Sequence, residues 1–319
     1  MSKEPTTVSV IIPAYNAAKT ISRCLNSILH QDYPSDNVDI HLVNDGSTDN
    51  TNDVLQQIVL SNQVQIHNHI VNKGLASARN TGLHHSNGEI IIFLDADMEV
   101  SPDFIENHVR FHKKPNVVGL LSALLPAPEN PIDKYQKYLY QSKRGAKKYP
   151  VQTPLPFHAF ILGITSIKRH AISETGGFDK AISSYGGEDT EFAYRLWQKY
   201  LRGLYYAPHI KVIHHHYRPF NAVLENVRTF GREVVPYLVQ KHPEFDSLYG
   251  YSYIYPSSTF IGLIKKIVGI ILKSKNTFTL LKLLYHLFPY PFSNKVIRLL
   301  LASALWQGIA RSKKNDSTR

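Results

Sequence analysis

The amino-acid sequence predicts an α/β protein: a mostly parallel central sheet flanked by helices, followed by a helical C-terminal extension. Three observations carry that reading. Short β-branched apolar runs alternate with segments of helical period through the first part of the chain, the pattern of βαβ units. At 319 residues the chain can bury a sizeable core, since domains usually run to ~100–200 residues. Beyond His216 the strands stop, and only apolar stretches of helical spacing remain.

Residues 8–12 and 40–43 are apolar runs of strand length, and residues 17–29 between them carry apolar side chains at helical spacing. The single cysteine, Cys24, falls among Ile21, Leu25 and Ile28, so it reads as a packed core thiol, and no disulfide framework exists. A third strand is expected at 64–70, a helix at 75–85 and a buried strand at 89–94. Pro and Gly punctuate 125–156, which predicts an irregular or partly helical excursion. Short strands resume from Phe157, then a helix at 189–200 with Phe192, Leu196 and Trp197 in the core, and a strand near 211–214. Residues 221–241 have helical spacing that Pro236 kinks or ends. Further apolar stretches occupy 260–272, 278–288 and 296–310, each broken by Lys265, Lys266, Lys282 or Arg298. None offers the ~20 apolar residues of a spanning helix. They suit helices lying in a membrane interface, or amphipathic helices packed on the preceding domain. The expected division is 1–217 and 218–319, and no internal repeat or low-complexity tract is present.

The formal charge of +11 would suggest nucleic acid if it were evenly spread. It is not. From Tyr251 onward eleven Lys and Arg face one acid, Asp316, whereas the first 250 residues carry 25 basic and 24 acidic side chains. Cations interleaved with apolar runs suit an anionic lipid surface, and no nucleic-acid partner is expected. The polar start, Met1 to Thr7, has no signal-peptide hydrophobic region, which predicts a cytoplasmic protein, peripheral on the inner face of the cell membrane.

Asp95-Ala96-Asp97 directly follows the run Ile90-Ile91-Ile92-Phe93-Leu94. Open α/β sheets bind ligands outside the carboxyl ends of their strands, and this run delivers two carboxylates there. Such oxygens suit a hard divalent cation that also takes phosphate oxygens. Pro13-Ala14-Tyr15-Asn16 and Asn44-Asp45-Gly46-Ser47-Thr48-Asp49 close two neighbouring strands at the same edge. Tyr15 can stack on a base and Asp45 can accept a ring N–H; packing and a turn with a helix cap are the plainer explanations. Glu188-Asp189 opens a helix, where acids serve either as caps or as a general base. Gly163, Gly176-Gly177 and Gly186-Gly187 permit close approach of a ligand or form ordinary turns. In His214-His215-His216, strand alternation puts His214 and His216 on one face.

Taken together, Pro-x-Tyr-Asn, Asn-Asp-Gly-Ser-Thr-Asp, Asn72-Lys73-Gly74-Leu75-Ala76-Ser77-Ala78-Arg79-Asn80 and Asp95-Ala96-Asp97 resemble family 2 of the inverting glycosyltransferases with the GT-A fold. Gly176-Gly177-Phe178-Asp179 and Gly186-Gly187-Glu188-Asp189 look like later elements of that family. The resemblance implies transfer from a nucleotide-sugar, a UDP-sugar being favoured and dTDP left open, to a glycan or lipid-linked acceptor. Pro13, Ala14 and Tyr15 would hold the base and Asp45 its ring nitrogen. Lys73 and Arg79 would lie near the nucleotide; for Arg79 a cation on a helix surface is the alternative, against which its place in a helix entered from a strand end argues. Asp95, Ala96 and Asp97 would meet the ribose, phosphates and metal. Asp189 would be the general base, with Glu188 supporting it or touching the acceptor. Asp97, with Asp95 beside it, would bind Mn2+ or Mg2+ together with His214, which follows Val212-Ile213 as the family's strand-end His does; His216 is the alternative. The first strand lacks the Gly-rich, Arg-containing loop of nucleotidyltransferases, and the chain lacks the Gln-x-x-Arg-Trp motif of processive synthases. A non-catalytic nucleotide-sugar-binding protein of the same fold is the second reading.

Overall fold

A strand covered on both faces is nearly all apolar, and every residue of β1 (Val8–Ala14) is buried, its one polar side chain, Ser9, accepting the Gly88 N–H at 2.7 Å. The computed structural model describes residues 5–58 and 64–316, so most of the polar start that underlies the cytoplasmic expectation lies outside the described residues. After β1 come α1 (Ile21–Leu29), β2 (Val38–Asp45), α2 (Thr51–Ile58), β3 (Val64–His69), α3 (Leu75–His85) and β4 (Ile90–Leu94). β5 (Met98–Val100), α4 (Phe104–His112), β6 (Gly119–Pro126), α5 (Lys134–Gln141) and β7 (Ile164–Lys168) follow. Next are α6 (Arg169–Thr175), α7 (Glu188–Lys199) and β8 (Leu204–His214). The remainder is helical: α8 (Phe220–Glu233), α9 (Val235–Lys241), α10 (Asp246–Tyr249), α11 (Phe260–Lys273), α12 (Lys275–Leu287) and α13 (Ser293–Asp316).

Among the described residues eight strands form one sheet in the order β3-β2-β1-β4-β7-β6-β8-β5. The first four run parallel, as the βαβ alternation predicts. β7 runs antiparallel to β4 and β6, and β5 to β8, so the far half of the sheet is mixed. α1 buries Ile21, Cys24, Leu25 and Ile28, one face at i, i+3, i+4 and i+7. It starts later than its apolar spacing implies, because residues 17–20 are a turn in which the Ala17 N–H donates to Thr51 Oγ1 at 2.8 Å. α3 lies close against β1 at Gly82, where a Cβ would stand 2.4 Å from the Ile11 side chain.

The chain divides into two compact units. The first holds the sheet and runs to Asn130, then covers Lys143–Ser183 and Glu188–His216. The second comprises Pro131–Ser142, Ser184–Gly187 and the chain from Tyr217 on. Its core includes Tyr135, Phe220, Leu224, Ile297 and Leu300, with the Tyr135 ring stacked on Phe220 at 4.7 Å. α8 and α13 approach backbone to backbone, since a Cβ on Gly231 would lie 2.4 Å from the Leu305 carbonyl oxygen and one on Gly308 2.2 Å from that of Arg228. Pro236 stands in the first turn of α9, where a missing N–H breaks no helical hydrogen bond, and so separates α9 from α8. No helix among the described residues is long and apolar enough to cross a membrane.

Candidate active site

β1 and β2 are neighbours with Ala14 opposite Asn44, so the loops after them meet. Asn16, in the left-handed conformation at φ 52°, accepts the Thr48 N–H on Oδ1 at 2.8 Å and donates its own N–H to Ser47 Oγ at 3.0 Å. Pro13 and Ala14 are buried in the strand, whereas Tyr15 is 49% exposed and its ring can stack on a planar ligand. Asp45 is buried. Its Oδ1 accepts the Lys73 N–H at 2.9 Å and its Oδ2 the Gly74 N–H at 2.9 Å. His69, on the adjoining strand, places Nδ1 2.6 Å from Asp45 Oδ1 and Nε2 2.9 Å from Thr81 Oγ1. Lys73 thus reaches Asp45 through its backbone, and its side chain is exposed.

α3 carries the groups that join the motifs. Arg79 is 1% exposed, so it is no helix-surface cation. Its Nη1 donates to Glu188 Oε1 at 3.1 Å and its Nη2 to Asp95 Oδ1 at 3.3 Å, with the guanidinium 5.4 Å over the Phe178 ring. Burial alone would lower the guanidinium pKa; Asp95, Glu188 and Asp189 outweigh it and hold Arg79 charged. The next residue, Asn80, brackets Phe178: Nδ2 donates to its carbonyl and Oδ1 accepts its N–H, each at 2.8 Å. Gly163, at φ +97°, accepts the Asp95 N–H on its carbonyl at 2.9 Å. A Cβ there would lie 2.2 Å from Asp95 Oδ2, so only glycine leaves room for this carboxylate.

Asp97 meets His214 because β5 pairs with the end of β8, Met98 opposite His214. Asp97 Oδ2 is 3.2 Å from His214 Nε2. Burial works against the carboxylate, but the hydrogen bond from His214 and the charges of His214 and His216 prevail and hold the Asp97 pKa below the usual range. The His216 ring lies 6.1 Å from that of His214. His215 turns to the other face, with Nε2 2.5 Å from Glu99 Oε2 and Nδ1 2.8 Å from Glu129 Oε1. Ala96, between the two aspartates, is buried. No group of three or more His, Cys, Asp or Glu among the described residues is arranged to hold a metal by itself. One carboxylate and one imidazole fit Mn2+, and Mg2+ less well, with the remaining ligands drawn from phosphate oxygens and water.

Glu188 and Asp189 begin α7 and differ in setting. Glu188 is 4% exposed; its burial and the charge of Asp189 raise its pKa against the opposing pull of Arg79. Asp189 is half-buried, with Oδ1 accepting the Thr190 N–H at 2.7 Å. Arg79 therefore links the Asp-x-Asp and Glu-Asp motifs in one cluster. Asp45, Lys73 and His69 form a second cluster at the ends of β2 and β3. His69 carried no signal in sequence, and Asn80 stood inside a quoted motif without an assigned role.

The sequence model of Glycosyl transferase family 2 matches residues 9–176, more than half of the chain. One described as the N-terminal domain of galactosyltransferase matches 143–219. Glycosyltransferase AglE of Haloferax volcanii is 37% identical over 103 residues, 32% of this chain and 34% of that protein. Across such curated relatives the chain spans from 14% to 60% of their own length. Mannosyltransferase PcManGT from Pyrobaculum calidifontis, solved with GDP-Man and Mn2+, superposes with a TM-score of 0.62 at 21% identity over 95% of this chain and 87% of that one. S. aureus TarS 1–349, solved with UDP-GlcNAc, gives 0.54 at 16% identity over 97% and 92%. At these identities the likeness is one of fold, the GT-A type. A family match that runs from β1 through α6, on a sheet of this fold, makes the chain a member of glycosyl transferase family 2.

Proposed function

We propose that the chain transfers a sugar, with inversion, from a nucleotide-sugar donor to a glycan or lipid-linked acceptor, at the inner face of a membrane. The observation that carries this is the buried Arg79 bridge, which ties Asp95 of the donor-side motif to Glu188 of the motif that would hold the base. The basic, apolar C-terminal sequence supports the membrane location. Tyr15 would stack on the base, and Asp45 Oδ2, which accepts one N–H from the chain, has a second lone pair for a ring N–H. That acceptor suits the ring N–H of uracil, which thymine shares, so a UDP-sugar is the preferred donor and dTDP the alternative. PcManGT was solved with a guanine nucleotide and TarS with a uracil one, so both belong in any donor screen.

Asp97 and His214, with Asp95 and His216 at hand, would hold a divalent cation whose charge neutralises the departing diphosphate. Asp189 takes the proton of the acceptor hydroxyl as that oxygen attacks the anomeric carbon. The bond from that carbon to the diphosphate oxygen breaks on the opposite side, its electron pair leaves with the nucleotide, and the configuration inverts. Glu188, fixed by Arg79, steadies the start of α7 and so the position of Asp189. The test is Asp189→Asn, read as UDP release from a panel of UDP-sugars. General-base loss predicts a fall of roughly 10²–10⁴-fold, with UDP affinity preserved. Release at the wild-type rate would contradict the assignment.

A further inference from the structure

α11 wears its large apolar side chains on the outside. Phe260, Leu263, Ile264, Ile267, Ile270 and Ile271 recur at i, i+3, i+4, i+7, i+10 and i+11, which is one helical face. Exposure along this face runs from 78% at Phe260 to 49% at Ile264. The inward face approaches its floor closely at a glycine, since a Cβ on Gly269 would lie 2.0 Å from the Tyr253 carbonyl oxygen, and beside it Val268 and Leu272 pack on the cluster of Val235, Trp306 and Ile309. Tyr253 stacks on Trp306 at 4.8 Å, which fixes the floor on which the helix rests. Surface helices of soluble proteins turn their large apolar face inward, and α11 does the reverse. Ser274 ends α11 and caps α12, accepting the Thr277 N–H at 3.2 Å. α12 adds Leu280, Leu283 and Leu287, each more than half exposed. An exposed apolar helix face of this kind marks an interaction site.

The surrounding charge identifies the occupant. Lys266 is exposed beside the stripe and Lys273 closes the helix. From Tyr251 onward the chain has eleven cations and one acid. A second copy seated here would bring like charge against like charge, whereas anionic headgroups supply the opposite sign. No described helix can span a bilayer, which leaves a helix lying in the interface.

We propose that the outward stripe of α11, extended by the exposed leucines of α12, seats in the interfacial layer of an anionic bilayer, with Lys266 and Lys273 at the headgroups. This deepens the membrane location proposed for the transferase. The test is flotation of the full chain with phosphatidylcholine vesicles, with and without phosphatidylglycerol, for wild type, Ile267→Ser/Ile271→Ser and Lys266→Gln/Lys273→Gln. All four positions point to solvent or its margin, and circular dichroism checks the fold. Binding is expected only with phosphatidylglycerol, and high salt weakens it. The serine variant should bind at least about tenfold more weakly, and each lost lysine should cost about fivefold. Binding to phosphatidylglycerol undiminished in the serine variant would overturn the stripe while leaving the membrane location standing; no binding of wild type to either vesicle would overturn both. Equal binding to both vesicles would overturn the anionic partner. A lipid-free dimer in sedimentation, abolished by the serine pair, would assign the stripe to a second copy and overturn the proposal. UDP affinity of the same samples reports on the donor site independently, and UDP release from UDP-sugars on transfer.

Discussion

Asp45 accepts hydrogen bonds from two backbone N–H groups and faces an imidazole, so its carboxylate is oriented by the chain before any ligand arrives. His69 is the one side chain in that arrangement, and substitution there isolates its contribution. His69→Leu removes a hydrogen bond to a charged group, about 1.5–3 kcal/mol, and should weaken UDP binding by roughly tenfold or more. His69→Asn retains an N–H near the place of Nδ1 and should restore most of the affinity. Titration calorimetry of both variants checks this, and full affinity in the leucine variant would remove His69 from the base site. Asp45 and Asp95 were legible in sequence, because each stands just past the end of an apolar run. Their partners were not. Glu188 is 109 residues from Arg79, Asp45 is gripped by backbone N–H groups that no side chain announces, and the room Gly163 leaves for Asp95 appears only in three dimensions.

At the scale of elements, buried parallel strands were the easiest to read, since β4 is apolar throughout and β1 is apolar but for Ser9. β8 extends well before the apolar run that announced it, because Tyr205, Tyr206, Pro208 and His209 mask the strand pattern and its pairing with β6 shifts register after Ser122. β5 is three residues long, too short for any periodicity, yet its pairing delivers Asp97 to His214. α5 lay inside the excursion marked by Pro and Gly, and its grouping with the C-terminal helices depends on contacts such as Tyr135 on Phe220. The crossing of α8 and α13 has its own test. Ala for Gly in a helix normally gains about 1 kcal/mol. Gly308→Ala should instead lose about 1–3 kcal/mol, since its Cβ would fall 2.2 Å from the Arg228 carbonyl oxygen. A lowered Tm is expected, and a raised one would show that the helices can separate without penalty.

Across the whole molecule, charge and chemistry are segregated. The carboxylate, histidine and arginine clusters lie on a sheet unit drawn from the nearly neutral part of the sequence, and the excess of cations over acids falls in the helices after Tyr251. The net charge of +11 taken alone would have pointed to nucleic acid; its distribution points to an anionic surface. The central claim is that the ends of β1, β2 and β4 form a donor site completed by a cation at Asp97 and His214. Calorimetry of UDP, dTDP and GDP, with and without Mn2+, on wild type and Asp97→Ala tests it most directly. The account predicts UDP binding that depends on Mn2+ and is lost in Asp97→Ala. Binding of no nucleotide, or UDP binding indifferent to both the metal and the substitution, would contradict it.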